Sequence, residues 1–276
     1  MKVFVTYGDG CFEAAKARIV KEARQTGEFD MVLAYGREDL SEELLASDII
    51  KERRGGGLWS WKPDVLLTTM KRCQDGDTLV YCDAGCSVYP SKEWQRIWHK
   101  LECHDLRAQR IFQRTDHWTR RELLEAFAGD CGLGWPKCYQ YQATIILNIS
   151  SFTRRLVSEW RELMITKPVF ALDVTKDERT KQHASFIENR HDQAVYSALV
   201  YKYLHGPNTH NRIYTQWEHI EDFDIIRPQA IRATRLRQGE TETSAHRRKA
   251  IVKRLIKDYV YKPLRYAPLQ WWYSRK

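Results

Sequence analysis

The apolar and polar positions of the chain fall into short blocks whose lengths and spacing predict a sheet with helices packed on it. Residues 2–7 form an apolar block of strand length, and residues 29–35 form a second. Between them, residues 12–25 are rich in Ala, Lys, Arg and Glu, a helical composition. Gly27 follows where a left-handed C-terminal turn suits glycine. A strand, a helix and a strand at this spacing predict a parallel pair joined by a right-handed crossover. Residues 41–53 predict a polar helix, broken by Gly55-Gly56-Gly57, which reads either as a flexible connector or as backbone free to approach a ligand closely. Pro63 suits the first turn of a helix running to about residue 73, and Asp75-Gly76-Asp77 is a turn. Residues 78–82 form a short apolar strand, with Asp83-Ala84-Gly85-Cys86 directly at its C-terminal end.

The alternation continues through the second half. Residues 91–101 predict a helix capped by Ser91, with Trp94, Ile97, Trp98 and Leu101 at helical spacing as core. Residues 108–113 predict a strand, and Thr119-Arg120-Arg121-Glu122 has the capping-box pattern of a helix running through Phe127. Residues 142–149 predict a strand, followed by a helix over 151–164. Arg190-His191-Asp192-Gln193 opens a helix whose body is 194–204. No internal repeat or low-complexity linker interrupts this order. The expected architecture is a single Rossmann-like α/β domain over residues 1–226, with a mostly parallel central sheet flanked by helices. Residues 227–276, basic and rich in aromatic side chains, are expected to form a helical extension packed on it.

Composition narrows the class. Of 276 residues, 43% are hydrophobic and 29% charged, the balance of a globular chain with a solvated surface. No apolar run is long enough to span a bilayer, and the stretch over residues 1–7 is too short for a secretory signal. The seven cysteines are odd in number, scattered and without a CxxC pair. They read as reduced thiols of a cytoplasmic protein rather than as a disulfide framework or a zinc site. A net charge of +9 favours anionic partners without choosing among nucleic acid, nucleotide phosphates and an acidic membrane.

Three constellations carry candidate chemistry. Asp83 stands outside the carboxyl end of a strand, where open α/β sheets bind ligands, and Gly85 leaves room beside it. Its plain alternative is a turn aspartate satisfying backbone N–H groups. Gly57-Leu58-Trp59-Ser60-Trp61-Lys62-Pro63 combines a glycine run, two aromatics and a lysine at a helix start. Backbone N–H groups there suit an anion, Lys62 suits a phosphate, and Trp59 or Trp61 suits stacking on a base or sugar unless both are core. His191, Asp192 and Gln193 head an otherwise apolar helix, where Asp192 is either a cap favoured by the helix dipole or a catalytic carboxylate. A fourth, weaker signal is the tail. His246, Arg247, Arg248, Lys249, Lys253 and Arg254 share a predicted helix with Ile251, Val252, Leu255 and Ile256. That helix suits either solvent or peripheral contact with an anionic membrane.

Taken in order, Gly-Leu-Trp-Ser-Trp-Lys-Pro, Asp-Gly-Asp-Thr-Leu-Val-Tyr-Cys-Asp-Ala-Gly-Cys and His-Asp-Gln resemble motifs of GT-A-fold nucleotide-sugar glycosyltransferases. The likeness is to bacterial and viral enzymes that build capsules and other surface glycans, and it spans roughly residues 2–204. It implies a nucleotide-sugar donor, a glycan or lipid-linked glycan acceptor, and a divalent cation, Mn or Mg, held by an Asp-x-Asp motif. Asp83 matches the first aspartate of that motif, but Gly85 stands at the second position, so either His191 completes the metal site with Asp83 or basic residues take the place of the metal. By the same resemblance Asp192 is the catalytic base or transition-state stabiliser. Asp83, Gly85, Trp59, Trp61, Lys62, His191 and Gln193 are then donor-binding residues. The chemistry asks for a basic group or metal against the leaving diphosphate and a carboxylate against the acceptor hydroxyl.

Two rivals remain at this level. A nucleic-acid-binding protein or nuclease would use the charge and the aromatics, but the basic residues do not gather around a recognisable nucleic-acid motif, so no nucleic-acid partner is expected. A GT-A domain that has lost catalysis and only binds glycans would account for the missing second aspartate.

Overall fold

The computed structural model describes residues 1–217 and 229–236, together with Arg248 and Val252. Along the chain it contains β1 (Lys2–Tyr7), α1 (Glu13–Thr26), β2 (Met31–Tyr35), α2 (Glu42–Ala46), a single turn α3 (Gly55–Leu58), α4 (Trp61–Met70), β3 (Thr78–Tyr81), β4 (Ser87–Val88) and α5 (Glu93–Cys103). There follow β5 (Leu106–Arg114), α6 (Thr115–Trp118), α7 (Arg121–Ala126), β6 (Leu133–Pro136), β7 (Tyr139–Tyr141), β8 (Ile145–Asn148), α8 (Ser151–Thr166), α9 (His191–His205), β9 (Ile213–Trp217) and β10 (Ile231–Arg232).

The expected α/β architecture with a mostly parallel sheet is observed. A seven-stranded sheet runs β2-β1-β3-β8-β5, with β7 continuing the β8 side of β5 and β9 also paired to β5. β1 is parallel to β2 and β3, and β9 is parallel to β5. β8 is antiparallel to both β3 and β5, so β1, β2, β3, β5 and β9 share one direction, while β8 and β7 oppose it. The carboxyl ends of β1, β3 and β5 therefore open on one edge, the edge that binds ligands in open α/β sheets.

Period-two alternation decides which face each strand residue packs against. Val3, Val5, Leu79, Tyr81 and Leu147 join α4, α8 and α9 in one core, while Phe4, Val80 and Ile146 join α1 and α5 in the other. The stripe of α5 behaves as its spacing predicts: Trp94, Ile97 and Leu101 are buried, with Trp98 partly so, and Ser91 Oγ accepts the N–H of Glu93. Gly27 caps α1 with φ +70°. Ser150 caps α8, exchanging hydrogen bonds with Thr153.

Local expectations fail where side chains compete for the backbone. The helix expected over 41–53 stops at Ala46, because Ser47 Oγ donates to the Leu44 carbonyl at 2.6 Å and its own backbone turns extended. The capping box at Thr119 does not form: its Oγ1 accepts Gln140 Nε2, and Glu122 pairs with Arg120. The strand expected over 142–149 is shorter, only β8 (Ile145–Asn148), and the separate β7 precedes it, each on its own stretch of β5. Of the tail, β10 lies antiparallel on β4. The predicted helix from His246 onward lies outside the described residues apart from Arg248 and Val252. Among the described residues no helix is long and apolar enough to cross a membrane.

Candidate active site

The glycine run is a structure rather than a flexible connector. Gly55, Gly56, Gly57, Leu58 and Trp59 all have positive φ, from 53° to 99°, making one left-handed turn. A left-handed residue other than glycine costs about 1–2 kcal/mol, so Leu58 and Trp59 must be held by their surroundings. Leu58 is 1% exposed, and Trp59 stacks on His191 with ring centroids 5.4 Å apart. Gly57 is required twice over, since a Cβ there would lie 2.8 Å from Ile50 Cδ1 and 2.9 Å from Ile50 Cα. This turn delivers the chain into α4, whose first residues are buried: Trp61, Lys62, Pro63 and Asp64.

Lys62 is the centre of the site. Its ammonium lies 2.8 Å from Asp192 Oδ2 and 3.3 Å from Asp83 Oδ1. The Lys62 and Asp192 side chains are 3% and 7% exposed, whereas Asp83 is 46% exposed and faces water. Three elements thus converge: α4 brings Lys62, the end of β3 brings Asp83, and the first turn of α9 brings Asp192. Tyr81 fixes Asp83 by donating its hydroxyl to Oδ1 at 2.7 Å. Lys62 also lies over the Tyr81 and Trp61 rings, at 5.4 and 5.9 Å.

Burial and charge pull these groups in different directions. Burial opposes the Lys62 ammonium, but Asp192 and Asp83 more than offset it and its pKa rises above the ordinary lysine value. Burial pushes Asp192 up to about 6, with Lys62 pulling it down and Asp83 adding to the rise. The Lys62 ammonium and Asp192 Oδ2 form a 2.8 Å ion pair withdrawn from water. The site therefore holds a carboxylate more basic than a surface aspartate, next to a fixed positive charge.

The other expected site residues are distributed less simply. Gln193 continues the first turn of α9, and its amide meets Gln113 and Gln140. His191 adopts φ +48° and is 2% exposed, with Nδ1 2.7 Å from the Ala171 carbonyl and Nε2 3.7 Å from Asp173. Burial lowers its pKa, so a neutral ring donates from Nδ1. Trp61 is not a stacking platform for a ligand. It is 6% exposed, stacks on Tyr7 with centroids 4.0 Å apart, and donates Nε1 to the Gly55 carbonyl. Trp59 is partly exposed, but its face is taken up by His191. Gly85 does not leave open room, because the strap 229–236 crosses it: Leu236 N–H and Thr234 Oγ1 both donate to its carbonyl at 3.1 Å.

The divalent cation expected between Asp83 and His191 does not fit this arrangement. Asp83 and Asp192 both turn an oxygen to the Lys62 ammonium, and His191 points to Ala171 and Asp173. Among the described residues no group of three or more His, Cys, Asp or Glu side chains gathers to hold a metal.

Three contributors carried no signal in the sequence. Tyr81 orients Asp83 from the strand end. Gln140 orients Gln193. Arg18, in the middle of α1, donates Nη2 to the carbonyls of Ala84 and Cys86 at 2.9 and 2.8 Å and Nη1 to Ser87 Oγ at 3.0 Å. It holds the loop that carries Asp83.

No family model matches the chain, and no curated protein matches it. Among solved structures it is similar to galactosyltransferase LgtC in complex with donor and acceptor sugar analogues, at 17% identity over 78% of this chain and 73% of that one, with a TM-score of 0.35. It is also similar to the apo form of mouse xyloside xylosyltransferase 1, at 9% identity over 80% of this chain and 85% of that one, with a TM-score of 0.40.

Proposed function

We propose that this chain is a glycosyltransferase that moves a sugar from a nucleotide-sugar donor to a hydroxyl of a glycan acceptor. The observation that carries the reading is the Asp83–Lys62–Asp192 constellation at the carboxyl edge of the parallel strands, together with the motif order that led to those residues. Asp192 is the catalytic carboxylate: withdrawn from water, it accepts the proton of the acceptor hydroxyl or faces the positive charge that develops on the transferred sugar. Lys62 fixes the position and charge of Asp192 and meets the negative charge of the leaving diphosphate. Asp83, anchored by Tyr81 and reaching solvent, accepts hydroxyls of the donor.

The same reading takes the transferred unit as a hexose or pentose and the acceptor as a glycan or lipid-linked glycan of surface-polysaccharide synthesis. It places the enzyme in the cytoplasm, with the basic tail resting on an anionic membrane. These finer points are supported by the sequence resemblance and the net charge of +9.

A thermal-shift screen against common nucleotide sugars, with Mn²⁺, Mg²⁺ or EDTA, tests it. A ligand at about a hundred times its Kd stabilises by roughly 2.7 kcal/mol. A donor shift that survives EDTA agrees with a site whose cation is Lys62. No shift with any donor, beside clear binding to nucleic acid, overturns the reading.

A further inference from the structure

The sheet face that carries Phe4, Val80 and Ile146 changes character where β5 and β9 continue it. Arg107 stands in register with Ile146 on one side and Tyr214 on the other, and Gln216 follows two residues after Tyr214 on the same face. A guanidinium, a phenol and an amide thus replace the apolar run. They floor a groove of about 930 Å³ whose wall is α5, across the sheet from α4 and Lys62. Arg107 is 4% exposed. Glu93 Oε1 lies 3.6 Å from its Nη2, but Glu93 also accepts the Ala230 N–H at 2.8 Å. Gln109, with its amide nitrogen donating to Gln142 Oε1, turns its oxygen to Nη1 and Nη2 at 2.8 and 3.1 Å. Burial still pulls the Arg107 pKa below the ordinary arginine value. Beside it, Gln216 Nε2 is buried with no acceptor among the described residues. The floor is short of both negative charge and acceptors.

The wall deepens that deficit. Lys92, Arg96 and Lys100 are exposed and recur every fourth residue along α5, so they share one face with about 6 Å between successive positions. The acidic groups of the lining are engaged: Glu28 accepts Trp98 Nε1 at 2.9 Å, and Glu93 faces Arg107. We propose that this groove binds an anionic glycan strand: Arg107 and Gln216 take one carboxylate, sulfate or phosphate on the floor, and Lys92, Arg96 and Lys100 meet the charges of successive sugar units along α5. A single nucleic-acid strand needs aromatic faces on which its bases stack. The ring that lines this groove, Tyr214, is already met by Lys100 at 4.9 Å and His104 at 5.2 Å. Repeated anions without bases to stack are those of a uronate-, sulfate- or phosphate-bearing polysaccharide. The inference stands apart from the transferase reading, since binding here asks nothing of Asp192.

The test is calorimetric titration of the full chain, at physiological salt, with a heparin hexasaccharide, an oligogalacturonate, neutral maltohexaose and a single-stranded oligothymidylate. Wild type is compared with Lys92→Gln/Arg96→Gln/Lys100→Gln, whose exposed positions leave folding intact, and with Gln216→Leu. A control, Lys51→Gln/Lys137→Gln/Lys176→Gln, removes the same charge from exposed positions elsewhere. We expect an anionic oligosaccharide to bind wild type and the control alike, to lose ~10-fold or more in affinity in the α5 variant, and to weaken in Gln216→Leu, while maltohexaose does not bind. Equal losses in the α5 variant and the control overturn the groove, because net charge alone is then being read. Oligothymidylate that binds more tightly than either anionic glycan, and is lost in the α5 variant, overturns the glycan in favour of nucleic acid. A wild type that binds neither anionic glycan overturns the proposal and leaves the transferase reading untouched.

Discussion

Lys62 Nζ stands 2.8 Å from Asp192 Oδ2 with both side chains withdrawn from water, while Asp83 closes on the same ammonium at 3.3 Å from the solvent side. One cation serves two anions of unequal hydration. Water stabilises the charge of Asp83, and little but Lys62 stabilises that of Asp192. Asp192 is consequently the carboxylate whose pKa is raised, and its protonation is expected to control the reaction.

Replacing Asp192 with Asn keeps the size and removes the basic oxygen. Turnover of the preferred nucleotide sugar should fall by about 10²–10⁴-fold, the usual contribution of a positioned base. Donor affinity should change little, whereas the melting temperature should fall, because the buried Lys62 ammonium keeps only Asp83 as its counter-charge. Steady-state kinetics with parallel calorimetry checks this, and full activity in Asp192→Asn would remove Asp192 from the mechanism.

Removing the cation acts on stability first. Lys62→Met leaves Asp192 buried without compensation, a change that costs roughly 3–5 kcal/mol when one member of a buried pair is deleted. The double variant Lys62→Met/Asp192→Leu should regain much of that loss, because no charge is left stranded. Urea unfolding of the three proteins checks the pattern. Equal stability of wild type and Lys62→Met would mean that the ammonium compensates nothing.

The pH dependence follows with opposite signs for activity and stability. In the proposed reaction the ionised carboxylate is the reactive form, so kcat/KM should fall as pH drops through about 6 and level off above it. The folded pKa of Asp192 lies above its unfolded value, so its contribution to stability is full below about pH 4 and is lost as pH rises through about 6. Lys62 stays charged throughout this window, since its pKa is raised. Asn does not titrate, so Asp192→Asn should remove this slope from the pH profile of Tm. An unchanged slope would show that another group sets it.

The left-handed turn predicts a backbone effect on the site. Gly57→Ala forces a Cβ to within 2.9 Å of the Ile50 backbone at φ +99°, and the turn must shift. We expect a loss of about 2 kcal/mol or more, as for strained positions in over-determined turns. The displaced Trp59–His191 stack should also weaken donor binding. Gly76→Ala, at a comparable φ of +93° but with nothing within 4 Å, should cost less. Equal melting temperatures for the two variants would argue against the close approach.

What the chain reveals before folding, and what it hides, has a physical basis. β1, α1, β2, α5 and α8 are legible because their periodicity repeats over whole elements and nothing competes for their backbone. The parallel arrangement of β1 and β2 follows from the strand–helix–strand spacing, whereas the pairing of β8 antiparallel to β3 depends on contacts seventy residues apart, Thr78 with Asn148. Asp83, Lys62 and Asp192 stand out because a charge at a strand end or heading an apolar helix breaks the local pattern. Gln140, Gln113 and Arg18 break no pattern. Their roles exist only once β5, β7 and α9, or α1 and the β3–β4 loop, are side by side. Trp61 misleads for a related reason: its neighbours in sequence are polar, but Tyr7, which covers it, arrives from β1.

Arg18 provides the strictest test of action at one remove. Its side chain is 5% exposed, and its guanidinium makes charge-assisted bonds to two carbonyls and a hydroxyl of the loop that follows Asp83, as well as an ion pair with Glu22 at 2.8 Å. Lysine at this position retains the charge but not the planar fork that reaches Ala84 and Cys86 together. Arg18→Lys should therefore release the loop, raising the KM for the nucleotide sugar about tenfold while kcat falls less, because Asp192 on α9 is untouched. If Arg18 acts only through Asp83, adding Arg18→Lys to Asp83→Asn should cost little more than Asp83→Asn alone. A double-mutant cycle on KM decides the matter: a coupling of about 1 kcal/mol or more supports the relay through the loop. Additive losses would show instead that Arg18 affects KM by a route that does not pass through Asp83.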